Sequence, residues 1–448
     1  YRPVSNIPFI GKILEKVVVS QLNDHLKRNN LHDPYQSAYR QKHSVETAIL
    51  KVKTDIERVI DEGDASILVM LDLSAAFDTI NHQILLDRIE QEIGIRGTPL
   101  NWLRSYLSER KQQCKINEAV SQETDLSVGV PQGSVLGPIL FTLYLLPMGR
   151  IIDRHKIFRH GYADDTQLYC RMPLRNDEER AAALDRMNSC IRDVRGWMLK
   201  NKLMINDNKT ELLLFCSKRA QHQLNEMDIT VNVGSIVIHP STAARNLGVV
   251  LDSQLTMEHH AKAIIKSAHF HLRRIKNIRH HLTESACKKA IHACVTSRLD
   301  CQNALLVGCS ASTKRRLQIM QNNAARVVSR TRHRQHMTPV LRDLHWLPVH
   351  ARILFKSLTI LHAAIHVPDA PFYLKSFVKF YRGPPQHRSA GDNFKLLPST
   401  YNSLTGANAF TCRTFNHWND LPFTLREIDS HALFKNRLKT FLFGQSYS

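Results

Sequence analysis

Two adjacent aspartates, Asp164 and Asp165, sit in the stretch GYADDTQLY among aromatic and aliphatic residues. An ionised carboxylate taken out of water without a partner is strongly destabilised, so acids in such company call for a counter-charge, a metal ion or an exposed turn. A further carboxylate, Asp72, closes the apolar run SILVMLD. Carboxylates at strand ends can converge at one edge of a sheet, where their mutual repulsion requires cations between them. Oxygen-only ligands of this kind suit Mg²⁺, a hard ion that also binds substrate phosphates. Two such ions about 4 Å apart can activate an attacking hydroxyl and stabilise the leaving oxygen of an in-line phosphoryl displacement. Taken singly each acid says little, since an Asp pair in a turn commonly only solvates it. Adjacent strand residues point to opposite faces, which makes Asp72 and Asp164 the main candidate ligands and Asp165 a supporting one.

The elements that must position these acids are legible as patterns. SILVMLDL, from Ser66, is a short apolar run rich in branched residues and predicts a buried strand ending at Asp72. FRHGYADDTQLYCR has strand composition on both sides of the acid pair and predicts a tight hairpin with the aspartates at its tip. GVPQGSVLGPILFTLYLL opens from a Gly- and Pro-rich turn into an apolar helix. Amphipathic helices are expected over 11–28, 45–61 and 177–201, and a further hairpin around NEAVS. KLMINDNKTELLLFCSK reads as a turn followed by a strand, and SIVIHPSTAARNLGVVLD as two more short strands. RGPPQHRSAGDNFK reads as a loop.

Composition bounds the partners. The chain of 448 residues is 43% hydrophobic, enough for a sizeable core, and carries a formal charge of +21. Such a charge favours an anionic partner, with nucleic acid ahead of a membrane surface. Between His271 and Arg334 there are 14 Lys or Arg against 2 Asp or Glu, either an electrostatic footprint for phosphates or a solvated basic face. No apolar run approaches the length of a membrane span and no signal-peptide pattern is seen, so a soluble, intracellular protein is expected. Nine cysteines without a CxxC pair argue against a disulfide framework or a compact zinc finger. Cys287, Cys294, Cys301 and Cys309 are spaced by seven, seven and eight, which predicts a buried stripe on a helical face rather than a metal site.

The ordered series LDLSAAFDTINH, GVPQGSVLGPILFTLY, GYADD, INDNKTELLLF and NLGVVLD resembles the palm motifs of reverse transcriptases, specifically those of non-LTR (LINE-type) retrotransposons of the CR1, L2 and jockey kind. YRPVSNIPFIGKILEKVV and QSAYRQKHSVETAI are similar to the finger motifs of that family, and SRLDCQNALLVG, RLQIMQNNAARVV and LHWLPVHARILFKSL to its thumb and C-terminal segment. The resemblance implies an α+β, right-hand polymerase: fingers and palm over 1–255, the palm an antiparallel sheet packed on helices, a basic helical thumb over 256–335, and a helical C-terminal segment over 336–448 whose role does not follow. It implies RNA-directed DNA synthesis by target-primed reverse transcription, with RNA template, DNA primer, target DNA and dNTPs as partners. Asp72, Asp164 and Asp165 would hold two Mg²⁺ ions, with Mn²⁺ as a substitute. A ribonucleoprotein of cytoplasm and nucleus would follow.

The same resemblance distributes further roles. The backbone of Leu73, Ser74, Ala75, Ala76 and Phe77 would lie against the incoming triphosphate. Phe77, five residues after Asp72, falls where the family places a steric gate against a 2′-OH, or else packs in the core. Gln132 and Gly133 of VPQGS would contact nucleotide and template. Arg40 and Lys42 would grasp triphosphate, or are loop surface charges. Lys209 would protonate leaving pyrophosphate, or is a packed structural lysine. Leu247, Gly248 and Val249 would form a primer grip, and Asp78 and His82 are read as structural. Ala163 before the acids, where viral RNA-dependent RNA polymerases typically carry Gly, favours DNA synthesis. The alternatives are an inactive or domesticated nucleic-acid-binding derivative and an RNA-dependent RNA polymerase. The chain opens at Tyr1 inside a working segment, so a missing N-terminal region is expected, in this family usually an endonuclease.

Overall fold

The structure, a computed structural model, describes residues 5–74, 76–225, 227–381 and 394–447. Ala75 and most of the expected 382–395 loop lie outside the described residues. Two compact units emerge, one of Tyr1–Arg40, Ile67–Leu212 and Asp228–Pro240, the other of Gln41–Ser66, Leu213–Met227 and Ser241–Ser448.

A five-stranded sheet runs in the order Pro240–Ser241, Glu211–Phe215, Ala65–Leu71, Asp165–Met172, Phe158–Tyr162. Its middle strand, ASILVML, is buried at every position except Met70, as its unbroken apolar run requires of a strand covered on both faces. Phe158–Tyr162 and Asp165–Met172 form an antiparallel hairpin in which Tyr162 pairs with Asp165. Only Ala163 and Asp164 remain for the turn, so Asp164 lies at the tip while Asp165 opens the returning strand.

Helix Asp177–Lys200 packs on strand Asp165–Met172 and helix Gly137–Arg154 on Phe158–Tyr162. The first starts at Asn176, whose side chain accepts from the Glu179 N–H, and has Asp177, Glu178 and Glu179 in its first turn, where the helix dipole favours them. Segregated helices and strands make the fold α+β.

In the second unit, helix Val45–Asp61 keeps the bounds its pattern gives and is closed at Ser44 by a capping box with Thr47. Helices Glu258–Asn277, Ala311–Ser329, Val349–His366 and His431–Tyr447 form a helical body around short 3₁₀ and π turns. Those turns overturn the expected cysteine stripe. A π turn at His292–Thr296 and the end of helix Ser297–Asp300 break the register, so Cys287 and Cys309 are buried while Cys301 is exposed. The segment read as two strands after residue 235 makes four: Ile236–Ile238, Pro240–Ser241, Ala243–Asn246 and Val249–Asp252. No described helix is long and apolar enough to cross a membrane.

Candidate active site

The acid-bearing turn is held from outside the hairpin. Ala163 takes φ 57°, a left-handed conformation that costs an L-residue about 1–2 kcal/mol. The Gln36 carboxamide offsets this by acting as a surrogate peptide: its Nε2 donates to the Ala163 carbonyl at 3.2 Å and its Oε1 accepts from the Ala163 N–H at 3.0 Å. The neighbouring backbone continues the contact, with Ser37 N–H donating to the Gly161 carbonyl at 2.9 Å and Gly161 N–H to the Tyr35 carbonyl at 2.8 Å. A Cβ on Gly161 would stand 3.0 Å from Gln36 Nε2, so the carboxamide would have to give by a few tenths of an ångström. Below the turn, buried His160 meets Ser37 Oγ through Nε2 at 2.8 Å. Gln36 belongs to QSAYR, and its contact across 127 residues carries no periodic signal in the sequence.

Asp72 directly follows strand Ala65–Leu71, and Asp165 opens that strand's neighbour in the sheet. The carbonyl of Asp72 accepts from Asn206 N–H at 2.8 Å, and Leu73 and Ser74 pair with Ile205 and Met204. This ladder delivers the 3₁₀ turn Asp207–Lys209, and Lys209 Nζ comes to 3.4 Å from Asp72 Oδ2. That separation is an ion pair beyond the 2.7–2.9 Å of a charge-assisted hydrogen bond. Asp72 Oδ2 is accordingly a buried acceptor without a hydrogen-bond partner.

Phe77 is half-buried and stacks on buried Phe141, ring centroids 4.6 Å apart. Leu73 and Ala76 are buried and Ser74 half-buried. Gln132 Nε2 donates to both carboxylate oxygens of Asp78 at 2.9 Å, while Gly133 is exposed at φ 108°. His82 Nε2 donates to the Gly129 carbonyl at 2.7 Å, so Asp78 and His82 fix the VPQGS loop in the way a structural role demands. Gly129 is required there: a Cβ would stand 2.8 Å from the Asp78 carbonyl oxygen. The loop is anchored further by a residue the sequence reading passed over. Buried Glu15 accepts Leu136 N–H at 3.2 Å and Val135 N–H through Oε2, and the Tyr106 hydroxyl through Oε1 at 3.0 Å. Burial, and then the Glu15 charge, push the Tyr106 phenol up to about 12.

Arg40 does not reach freely into solvent: its Nη1 donates to the Asp33 and Gln36 carbonyls at 2.8 and 3.2 Å. Beside it, half-exposed Tyr39 has its phenol pKa raised by burial and by the charge of Asp164, which places another unforeseen side chain near the acid pair. In the second unit Lys42 is exposed at φ 62°. There, too, Asn246 pairs with Val249 across a two-residue turn in which Leu247 has φ 47° and Gly248 φ 85°. Both central residues at positive φ match the tightest hairpin connection. Gln302 Nε2 donates to the Leu247 carbonyl at 3.3 Å and Val249 is buried.

Among the described residues no group of three or more His, Cys, Asp or Glu side chains gathers closely enough to hold a metal ion. The donor set nonetheless fits a hard divalent cation. It is all carboxylate oxygen, and Asp72 Oδ2 is a buried acceptor still lacking a donor.

A family profile described as "Reverse transcriptase (RNA-dependent DNA polymerase)" matches residues 1–251. "Probable RNA-directed DNA polymerase from transposon BS" of Drosophila melanogaster is 24% identical over 363 residues, covering 79% of this chain and 39% of that protein. "Probable RNA-directed DNA polymerase from transposon X-element" of the same organism is 26% identical over 363 residues, covering 77% and 37%. "RNA-directed DNA polymerase from mobile element jockey" from that fly is 24% identical over 267 residues, covering 58% and 28%. The chain thus spans less than half the length of the curated relatives it matches. A solved structure of telomerase from Candida albicans, in complex with the TWJ fragment of telomeric RNA, aligns with TM-score 0.35 at 12% identity over 78% of this chain and 54% of that one.

Proposed function

Because the chain belongs to the reverse transcriptase (RNA-dependent DNA polymerase) family, we propose that it extends a DNA primer on an RNA template, as the polymerase of a non-LTR retrotransposon. The primer 3′-oxygen attacks the α-phosphorus of a dNTP, a new P–O bond forms, the α–β bond breaks and pyrophosphate leaves. What most supports this is the construction at one end of the sheet: Asp72, with its unsatisfied Oδ2, directly follows the central strand, Asp164 lies in the hairpin turn, and Asp165 opens the strand beside the central one. Asp72 and Asp164, with Asp165 in support, are the residues that would hold two Mg²⁺ ions, or Mn²⁺ in their place, whose chemistry is Lewis-acid polarisation of the attacking and leaving oxygens.

The chain's own groups do the rest. Backbone N–H groups of Leu73, Ser74, Ala76 and Phe77 would face triphosphate oxygens, with Ala75 of the same segment outside the described residues, and the Phe77 ring, backed by Phe141, excludes a 2′-OH. Lys209, already 3.4 Å from Asp72, delivers a proton to pyrophosphate. Gln132, steadied by Asp78, presents its amide oxygen, and Gly133 its bare backbone, to the nascent base pair. Arg40 and Lys42 grasp triphosphate, and Leu247, Gly248 and Val249 seat the primer terminus. Residues 1–255 serve as fingers and palm, 256–335 as a basic thumb on the template–primer duplex, and 336–448 as an appended helical segment. A ribonucleoprotein moving between cytoplasm and nucleus, with target DNA as the source of primer, fits these roles.

The test is extension of a DNA primer on an RNA template with divalent metal, comparing dNTPs with rNTPs. Extension with dNTPs is expected. No extension would favour a nucleic-acid-binding derivative, and preference for rNTPs would favour an RNA-dependent RNA polymerase.

A further inference from the structure

Three stretches of the first unit meet on one side chain, Arg159, which lies in strand Phe158–Tyr162 five residues ahead of Asp164. Its Nη1 donates to Asp33 Oδ2 at 2.6 Å, while Nε and Nη2 form a fork on Asp153 Oδ1 and Oδ2 at 3.0 and 3.2 Å. The Arg159 side chain is 10% exposed, Asp33 15% and Asp153 53%, so the Asp33 arm is the one shielded from water and salt. The guanidinium carbon also stands 5.3 Å from the centroid of the Tyr35 ring. Gly149, buried inside helix Gly137–Arg154, leaves the guanidinium its room: a Cβ there would lie 2.5 Å from Nη2 and 2.6 Å from the guanidinium carbon. Glycine in a helix interior is destabilising relative to alanine, and here the space is taken by Arg159 instead.

Each partner belongs to a stretch with its own part in the proposed reaction. Asp33 precedes Gln36, which holds Ala163; its Oδ1 accepts from Tyr35 N–H at 2.9 Å and its carbonyl from Arg40 Nη1 at 2.8 Å. One carboxylate therefore orders the 33–36 turn through one oxygen and receives Arg159 through the other. Gln36 and Gly161 then pair as a parallel bridge, which lays that segment along the strand carrying Arg159. Asp153 and Gly149 lie in the helix that grows out of the VPQGS loop. A planar guanidinium can span two carboxylates in fixed directions, whereas an ammonium is a point charge that cannot reproduce the fork.

We propose that Arg159 is a positioning residue for nucleotidyl transfer: by joining Asp33, helix Gly137–Arg154 and the strand that runs into Asp164, it fixes the acid-bearing turn relative to Arg40 and the VPQGS loop. Arg159 touches neither nucleotide nor metal and acts through the groups it holds. The proposal rests on the polymerase reading.

Two substitutions in the full chain test it, Arg159→Lys and Gly149→Ala, read by kcat and KM for one dNTP on an RNA template with a DNA primer and by backbone hydrogen exchange over 33–40 and 161–166. Arg159→Lys keeps the charge and loses the fork, and should lower kcat by at least about tenfold with KM within about threefold. Gly149→Ala should lower kcat by at least about fivefold, although helix propensity alone favours alanine. The double variant should lose no more than Arg159→Lys by itself, because the added methyl acts through the guanidinium. Exchange over both segments should quicken in each single variant. The proposal is overturned if Arg159→Lys keeps kcat within about twofold of the parent, or if its exchange over 161–166 stays parental. Should Arg159→Lys fail to fold, Gly149→Ala decides by the same two criteria. A parent chain that extends no primer contradicts the polymerase reading instead, and exchange over the two segments then decides by itself whether Arg159 holds the turn.

Discussion

At Phe77 a single ring has to be both packed and available. One face lies against Phe141, and the residue is only half-buried, which leaves ring surface for a sugar. Phe77→Val keeps an apolar side chain but withdraws the ring, so the preference for dNTP over rNTP should fall by at least about tenfold in single-nucleotide incorporation. Unchanged discrimination, with a lowered melting temperature, would return Phe77 to core packing. The same scale shows what residue types alone reveal. Asp72 and Asp164 stand out as acids beside apolar runs, whereas Lys209, set in the polar stretch NDNKTE, is marked only by the family resemblance; it does come beside Asp72. Tyr39 does not stand out, because its meaning depends on a positive φ and on nearness to Asp164, neither of which its neighbours in sequence encode.

Elements matter through the way one holds another. Gln36 ties the 35–38 segment to the acid-bearing hairpin by both ends of its carboxamide, at the residue preceding Asp164. Gln36→Ala removes two hydrogen bonds, together about 1–3 kcal/mol, and kcat should fall by roughly 10–100-fold if that energy holds the turn. KM for dNTP should change little. Loss of stability with kcat within about twofold of wild type would make Gln36 a packing residue only. Local periodicity reveals the elements themselves: helix Val45–Asp61 and the Phe158–Met172 hairpin follow from apolar spacing and turn composition. It does not reveal joints such as Gln36 to Ala163, or Glu15 to the start of helix Gly137–Arg154 across 120 residues. A polar side chain that serves a distant backbone looks like any other polar residue. The cysteine spacing misleads for the converse reason, since a π turn shifts the helical register without altering composition.

On the scale of the whole molecule, buried histidines couple stability to pH. Burial, the largest cause, holds His362 at about 4, with His366 and His431 adding to the depression and the Ile428 carbonyl opposing it. His260 is held at about 4 by burial and then by Arg245. In the unfolded chain both titrate near 6.5, so between about 6.5 and 4 the unfolded state binds more protons. Stability is therefore complete above 6.5 and declines as pH falls toward 4. The melting temperature should drop by at least about 5 °C across that window. His362→Gln should flatten the slope, because His362 Nδ1 lies 3.1 Å from His431 Nδ1 and protonation of both would set two donors face to face. A profile identical to that of the parent would remove this pair from the pH response.

The central claim, that the acids after Ala65–Leu71 and at the hairpin tip carry out nucleotidyl transfer, is tested most directly by single-turnover incorporation of one dNTP on a preformed RNA–DNA duplex, comparing the parent chain with Asp164→Ala. The expected result is a rate lower by at least about 10³, or roughly 4 kcal/mol of transition-state stabilisation, with duplex affinity within about twofold. A variant that incorporates the nucleotide at the parental rate would contradict it.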